Sequence, residues 1–209
     1  MASKEQITYS RPPTLSNKLT NCRLFTKVNK DNDGTSLEIK GSKAWGKCGL
    51  CGNWGRHKNM VLECQEIERL DGTRVGLKQK LDCKNHGIYA AKCRMCNRFY
   101  VGQTINKFSE RWNDHRSKWK GMVEKGEESV MAELEDGERG DSCALFMHYL
   151  NKHKDVVWKN GAGIKISEAF QVIFVESTGR ERLNTAENFW ISTLMADINI
   201  ERTFLPRYK

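Results

Sequence analysis

The 209-residue sequence has no apolar run of 18 residues, so no segment reads as a membrane-spanning helix. Its opening stretch, MASKEQITYSRPPTLSNK, lacks the apolar centre of a secretory signal. A reducing compartment, nuclear or cytoplasmic, is therefore expected, where eight cysteines read as thiols or metal ligands rather than disulfides. No internal repeat is visible, which argues against a stacked-repeat architecture. Acidic residues are outnumbered: 26 Asp and Glu face 35 Lys and Arg, a net charge of +9. That excess points to a polyanionic partner, with nucleic acid first.

Charge is unevenly spread. Residues 1–86 carry 16 basic and 9 acidic side chains, whereas 123–141 carry 2 and 8. The acidic stretch reads as a solvated insertion with one helical turn around Val130 to Leu134. Residues 1–40, polar and rich in Pro, Asn and Asp, read as a flexible or loosely docked arm. Residues 41–86 form a Gly-rich unit whose core is too small to stand without a staple. From Gly87 the pattern changes to strand GIYAAKC, turn RMCNR and strand FYVGQT. Phe108, Arg111, Trp112, His115 and Trp119 then recur at helical spacing. Ser142 can cap a helix CALFMHYLNKH, and IKISEAFQVIFVES reads as a third strand. A last helix of about 17 residues packs Leu183, Phe189, Trp190 and Leu194. This order is a mixed α+β domain over 87–209: a small three-stranded sheet flanked by helices.

Four pairs of metal-ligand residue types stand out: Cys48/Cys51, Cys83/His86, Cys93/Cys96 and His148/His153. If 87–92 is a strand, His86 and Cys93 lie about 23 Å apart at about 3.3 Å per residue. One zinc, with ligands about 2.0–2.3 Å from the ion, cannot span that distance. The economical pairing is Cys48, Cys51, Cys83 and His86 in one site and Cys93, Cys96, His148 and His153 in another. Both are closed four-ligand sets, expected to hold structural Zn²⁺. His57 and Cys64 are reserve ligands; Cys22, Cys64 and Cys143 otherwise read as ordinary thiols.

Gly87-Ile88-Tyr89 and Tyr100-Val101-Gly102, followed by Arg111 and His115 and later by Glu187 in LNTAENFWI, resemble the GIY-YIG nuclease domain. The CxxC between the triplets and the two histidines of CALFMHYLNKH are similar to the endonuclease of Penelope-like retroelements. There a Cys-Cys-His-His zinc site is built into the nuclease, and Cys93, Cys96, His148 and His153 match it. The resemblance implies a metal-dependent DNA endonuclease that nicks target DNA for target-primed reverse transcription. Element RNA and a reverse transcriptase domain are then possible partners, and no membrane is involved. The alternatives are a repair or recombination nuclease and a catalytically inactive zinc-containing DNA-binding module.

The roles implied are Glu187 as holder of Mg²⁺ or Mn²⁺ and Arg111 as phosphate clamp. Tyr89 is the expected general base, with Tyr100 and His115 positioning water or standing in. Asn199 matches a late family asparagine that braces the site. Gln103, Lys107, Arg116 and Lys118 are expected to contact nucleic acid. Arg56 and Lys58, with Trp45 and Trp54, make the 41–86 unit a candidate DNA-binding accessory, or else a scaffold.

Overall fold

The computed structural model describes residues 40–51, 60–135, 144–158 and 163–201. Four short strands, β1 (Gly41–Ser42), β2 (Glu66–Glu68), β3 (Arg74–Gly76) and β4 (Lys80–Leu81), precede β5 (Gly87–Cys93), β6 (Phe99–Thr104) and β7 (Phe170–Glu176). The helices are α1 (Phe108–Lys125), α2 (Glu127–Glu135), α3 (Ala144–Lys152), α4 (Lys154–Val157), α5 (Ile166–Ala169), α6 (Leu183–Leu194) and α7 (Asp197–Glu201). No proline falls between Thr14 and Leu205, so no strand or helix interior loses a hydrogen bond to one.

The central sheet is antiparallel with strand order β6-β5-β7. β5 is buried along almost its whole length, as a middle strand covered on both faces must be. At its start Gly87 has φ +126°, and a Cβ there would run into the Glu176 carbonyl of β7. Only glycine permits that approach, which coincides with a register shift between Ile88 and Tyr89. Alternation along the strands then divides the core. Tyr89, Ala91, Cys93 and Tyr100 face α1 and α3, packing with Phe108, Trp112, Trp119, Phe146 and Tyr149. Ile88, Ala90, Phe99 and Val101 face α6, packing with Leu183, Ala186, Trp190 and Leu194.

The segment before Gly87 is built into this core. Leu50, Met60, Val61, Leu81 and Cys83 are buried with Tyr89 and Trp112. Residues 60–62 run along the outer edge of β7: Leu62 N–H donates to Val172 O at 2.8 Å, and Val172 N–H to Met60 O at 2.8 Å. Ser42 Oγ accepts from Phe174 N–H at 3.1 Å. These contacts cover an edge that would otherwise expose unpaired backbone groups. The same segment caps α1, whose N-cap residue Lys107 makes no side-chain capping bond. Instead the N–H groups of Phe108 and Ser109 donate to the carbonyls of Asn85 (2.8 Å) and Cys83 (3.2 Å). All described residues belong to one compact unit, Glu38–Lys209.

Three local expectations differ from the structure. The acidic stretch is helical where described: α1 runs to Lys125, Gly126 (φ +80°) breaks it, and α2 begins at Glu127. The third strand starts only at Phe170, because Ile166–Ala169 forms a helical turn with the Glu168 side chain back-bonded to the Lys165 backbone. Phe189 is exposed rather than packed, since α6 turns Leu183, Ala186, Trp190 and Leu194 inward. Ser142 and Cys143 lie outside the described residues, as do Cys22 and the segment holding Trp54, Arg56, His57 and Lys58. Among the described residues no helix is long and apolar enough to cross a membrane.

Because Leu50, Met60 and Val61 complete the core and residues 60–62 cover the edge of β7, deleting residues 1–80 is expected to abolish cooperative unfolding. Near-UV circular dichroism and a thermal melt check this. A truncated chain that melts like the full one would make the segment dispensable to the fold.

Candidate active site and metal centres

Tyr89 leaves β5 toward α1, and its hydroxyl lies 2.6 Å from Nε2 of His115. Room for the ring exists because residue 102, its cross-strand partner, is glycine. A Cβ at Gly102 would sit 2.5 Å from the Tyr89 hydroxyl and 2.9 Å from Cε1 of Tyr100. The ring centroids of Tyr89, Tyr100 and His115 lie 5.9 to 6.3 Å apart, tilted or edge-on. Arg111, one helical turn before His115, stands beside both tyrosine hydroxyls. Its Nε is buried with no hydrogen-bond partner among the described residues. The guanidinium hydrogen-bonds the Tyr89 side chain and lies 3.9 Å from Asp114.

Electrostatics assigns distinct states to these groups. Burial, then the nearby Arg111 and Lys118 charges, push the His115 imidazole down to about 3, so it is neutral near pH 7. Burial pushes the Tyr89 phenol well above its usual range, and Tyr100 adds to this; Arg111 opposes it. The pair therefore rests as phenol and neutral imidazole.

Glu187 lies on α6, on the opposite face of the sheet, yet it belongs to the same locus. β6 is an edge strand, so residues from both faces can meet around it. Burial raises the Glu187 pKa, while Arg111 and the side-chain and backbone amides of Gln103 favour its carboxylate form. Gln103 Nε2 donates to Asn184 Oδ1 at 2.7 Å, one turn before Glu187. On the same edge, Asn199 mimics a strand. Its Oδ1 accepts from Val101 N–H and its Nδ2 donates to Val101 O, both at 2.7 Å. A half-buried carboxylate beside an arginine is a donor suited to a hard divalent cation that keeps most of its own waters.

Two groups of ligand atoms converge elsewhere, each within 4.8 Å: Cys93, Cys96, His148 and His153, and Cys48, Cys51 and Cys83. In the first, Cys96 Sγ lies 3.3 Å from His148 Nε2, and Cys93 Sγ lies 3.7 Å from His153 Nε2. A tetrahedron with bonds of about 2.3 Å has edges of about 3.8 Å, so two sulfurs and two imidazoles suit zinc. Burial pushes the Cys93 thiol up, but hydrogen bonds with His148, with backbone N–H groups and with Tyr149 outweigh it, leaving about 7. In the second group Cys48 and Cys83 lie 3.2 and 3.3 Å from Cys51 Sγ, which also accepts from Gly46 N–H at 3.1 Å. His86 is exposed and does not join them, because the chain turns at Gly87 to enter β5. Cys64 also stays apart, pairing its backbone with Ser42.

The residues expected to contact nucleic acid are dispersed. Lys107 is exposed and 3.8 Å from Glu110. Lys118 stands near His115. Arg116 is bonded to the Asn113 carboxamide, and a Cβ at Gly49 would meet its guanidinium at 3.5 Å. Its guanidinium supports the Cys48/Cys51 knuckle instead of projecting beside the tyrosines. Gln103 is engaged by Asn184 and Glu187. Sequence reasoning missed Asn184; its position three residues before Glu187, on one helix face, was the available signal.

Among solved structures, the chain is similar to the catalytic domain of the homing endonuclease I-TevI. Identity is 23% over 55% of this chain and 92% of that one, with a TM-score of 0.34. No family model and no curated protein matches the sequence. The overlap is loose, and the functional reading rests on the site's own residues.

Two expectations follow. Purified protein should carry two equivalents of zinc by elemental analysis, falling to one in Cys93→Ser; a metal-free, equally stable protein would remove both sites. His115 is neutral in the fold and protonated in the unfolded chain below about pH 6.5, so the unfolded state binds more protons. Stability is then full above that pH and falls toward about pH 3 by up to about 1.4 kcal/mol per unit. Urea melts between pH 7 and 4 should show a shallower decline in His115→Gln.

Proposed function

We propose that the chain is a divalent-metal-dependent DNA endonuclease of the GIY-YIG type that nicks one strand, braced by two structural zinc ions. The observation that carries this reading is the buried, unpartnered Arg111 Nε beside the Tyr89–His115 pair. A donor left so costs about 1–3 kcal/mol, which an anion accepting from it relieves. A phosphodiester is the anion that a basic chain would bring there.

With a non-bridging phosphate oxygen on Arg111, the scissile phosphorus lies against the Tyr89 and Tyr100 hydroxyls. As water attacks, its proton passes to the Tyr89 oxygen while the Tyr89 proton moves to Nε2 of His115. His115 enters the step neutral; burial and its cationic neighbours disfavour its imidazolium, and the negative charge of the bound phosphate would offset them. This makes Tyr89 a relay and His115 the acceptor. Arg111 stabilises the charge that builds on the equatorial oxygens. A Mg²⁺ or Mn²⁺ held through Glu187 would supply positive charge against the leaving 3′-oxygen. Asn199 keeps the edge strand straight, so that Tyr100 and Gly102 hold their places.

The zinc ions are structural in this reading. One pins the hairpin turn between β5 and β6 to α3, and the other ties the segment that caps α1 to the knuckle at Cys48. Because the Cys93, Cys96, His148 and His153 set is integral to the fold, we place the activity in retroelement integration. A nick then supplies a 3′-hydroxyl to a reverse transcriptase copying element RNA.

Supercoiled plasmid with Mg²⁺ or Mn²⁺ should pass to the open-circular form, and EDTA should stop it. Arg111→Ala and Glu187→Ala should lower nicking by at least about 10²-fold with the thermal melt unchanged. Tyr89→Phe should do the same by breaking the relay. Full activity in the Arg111 and Glu187 variants would refute the assigned site.

A further inference from the structure

Gln103 leads off the edge strand toward α6, where Asn184 and Glu187 occupy one helix face. Its carboxamide is a donor to Asn184 Oδ1 at 2.7 Å, which fixes the orientation of the amide and leaves the second N–H for Glu187. The Gln103 backbone N–H acts on the same carboxylate. Two amide donors thus aim at one carboxylate, and a neighbouring carboxamide oxygen holds one of them in place. Such an arrangement differs from a phosphate contact, which would leave the amide free to turn outward.

We propose that Asn184 and Gln103 form a carboxamide clamp that sets the rotamer of Glu187 and presents its free oxygen to the divalent cation. The proposal rests on the nuclease reading, since only there does Glu187 hold a cation. Gln103 and Asn184 are positioning residues: they act through Glu187 and touch neither substrate nor metal. The chemistry is that of an outer partner donating to a ligating carboxylate, so that only one oxygen faces the ion. Without Asn184, the Gln103 amide can rotate toward solvent, and the Glu187 carboxylate gains rotamers that point away from the site. Asn184 is exposed, so its removal leaves the core of α6 intact.

The test measures Mn²⁺ binding to the full-length, zinc-loaded protein by the EPR signal of the free aquo ion. Thermal melts and duplex binding in Ca²⁺ run alongside. Asn184→Ala and Gln103→Ala should each weaken Mn²⁺ binding by about tenfold, without shifting the melt or the duplex affinity. The double variant should be no weaker than either single one, because both remove one device. The concentration of Mg²⁺ giving half-maximal nicking should rise in parallel, and Asn184→Asp, which keeps the acceptor oxygen, should restore binding.

Unchanged Mn²⁺ affinity in the single variants, with Glu187→Ala still defective, overturns the clamp and leaves the nuclease reading standing. Losses that add in the double variant also overturn it. A Gln103→Ala protein that loses duplex affinity and keeps Mn²⁺ affinity makes Gln103 a phosphate contact instead. Equal Mn²⁺ binding by wild type and Glu187→Ala removes the cation site, and the clamp with it.

Discussion

The arrangement turns on the passage of the Tyr89 side chain across Gly102 to the His115 imidazole. A phenol placed there needs a neighbour without a Cβ, a helix at hydrogen-bonding distance, and a strand that does not slide. Each requirement recruits another part of the molecule. Gly102 removes the steric block, Phe108 and Trp112 seat α1 against the same face, and Asn199 holds both backbone groups of Val101. Burial around the pair then sets its protonation, because it disfavours both the phenolate and the imidazolium.

Strand order matters as much as side-chain chemistry. With β5 in the middle and β6 outermost, side chains from α1 on one face and α6 on the other meet around a single edge. Arg111 and Glu187 stand 76 positions apart in sequence, and the edge brings their charges into range. The opposite edge, at β7, is closed by residues 60–62 and Ser42. One side of the sheet is thus sealed, and the other carries the candidate site residues.

The candidate metal groups stand at both ends of this device. Cys93 ends β5 and Cys96 lies in the turn beyond it, where Asn97 adopts a left-handed conformation (φ 59°). His148 and His153 approach from α3 and the residue after it. Cys83 belongs to the second group, and its carbonyl caps α1, so a metal there bears on the helix carrying Arg111 and His115. A metal bound at either group would act on the tyrosines through the backbone rather than through any direct contact.

Much of the local structure was legible in the sequence. The two triplets, the helical spacing from Phe108 to Trp119, and the Cys and His pairs report short-range geometry, which residue type and spacing govern. Reach alone separated Cys83 from Cys93, since a strand has a fixed rise. What lay beyond it depended on contacts between distant segments. His86 satisfied the spacing of a ligand, but the turn at Gly87 carries it away. Arg116 meets the Cys48/Cys51 knuckle, and Gln103 meets a partner 81 positions away. The segment 41–86 looked separable because its own apolar content is small, although it completes a core whose other half lies after residue 87. Composition and periodicity determined which elements form and which side chains can do chemistry; only packing decided which met, because burial, proton placement and convergence are properties of neighbours in space.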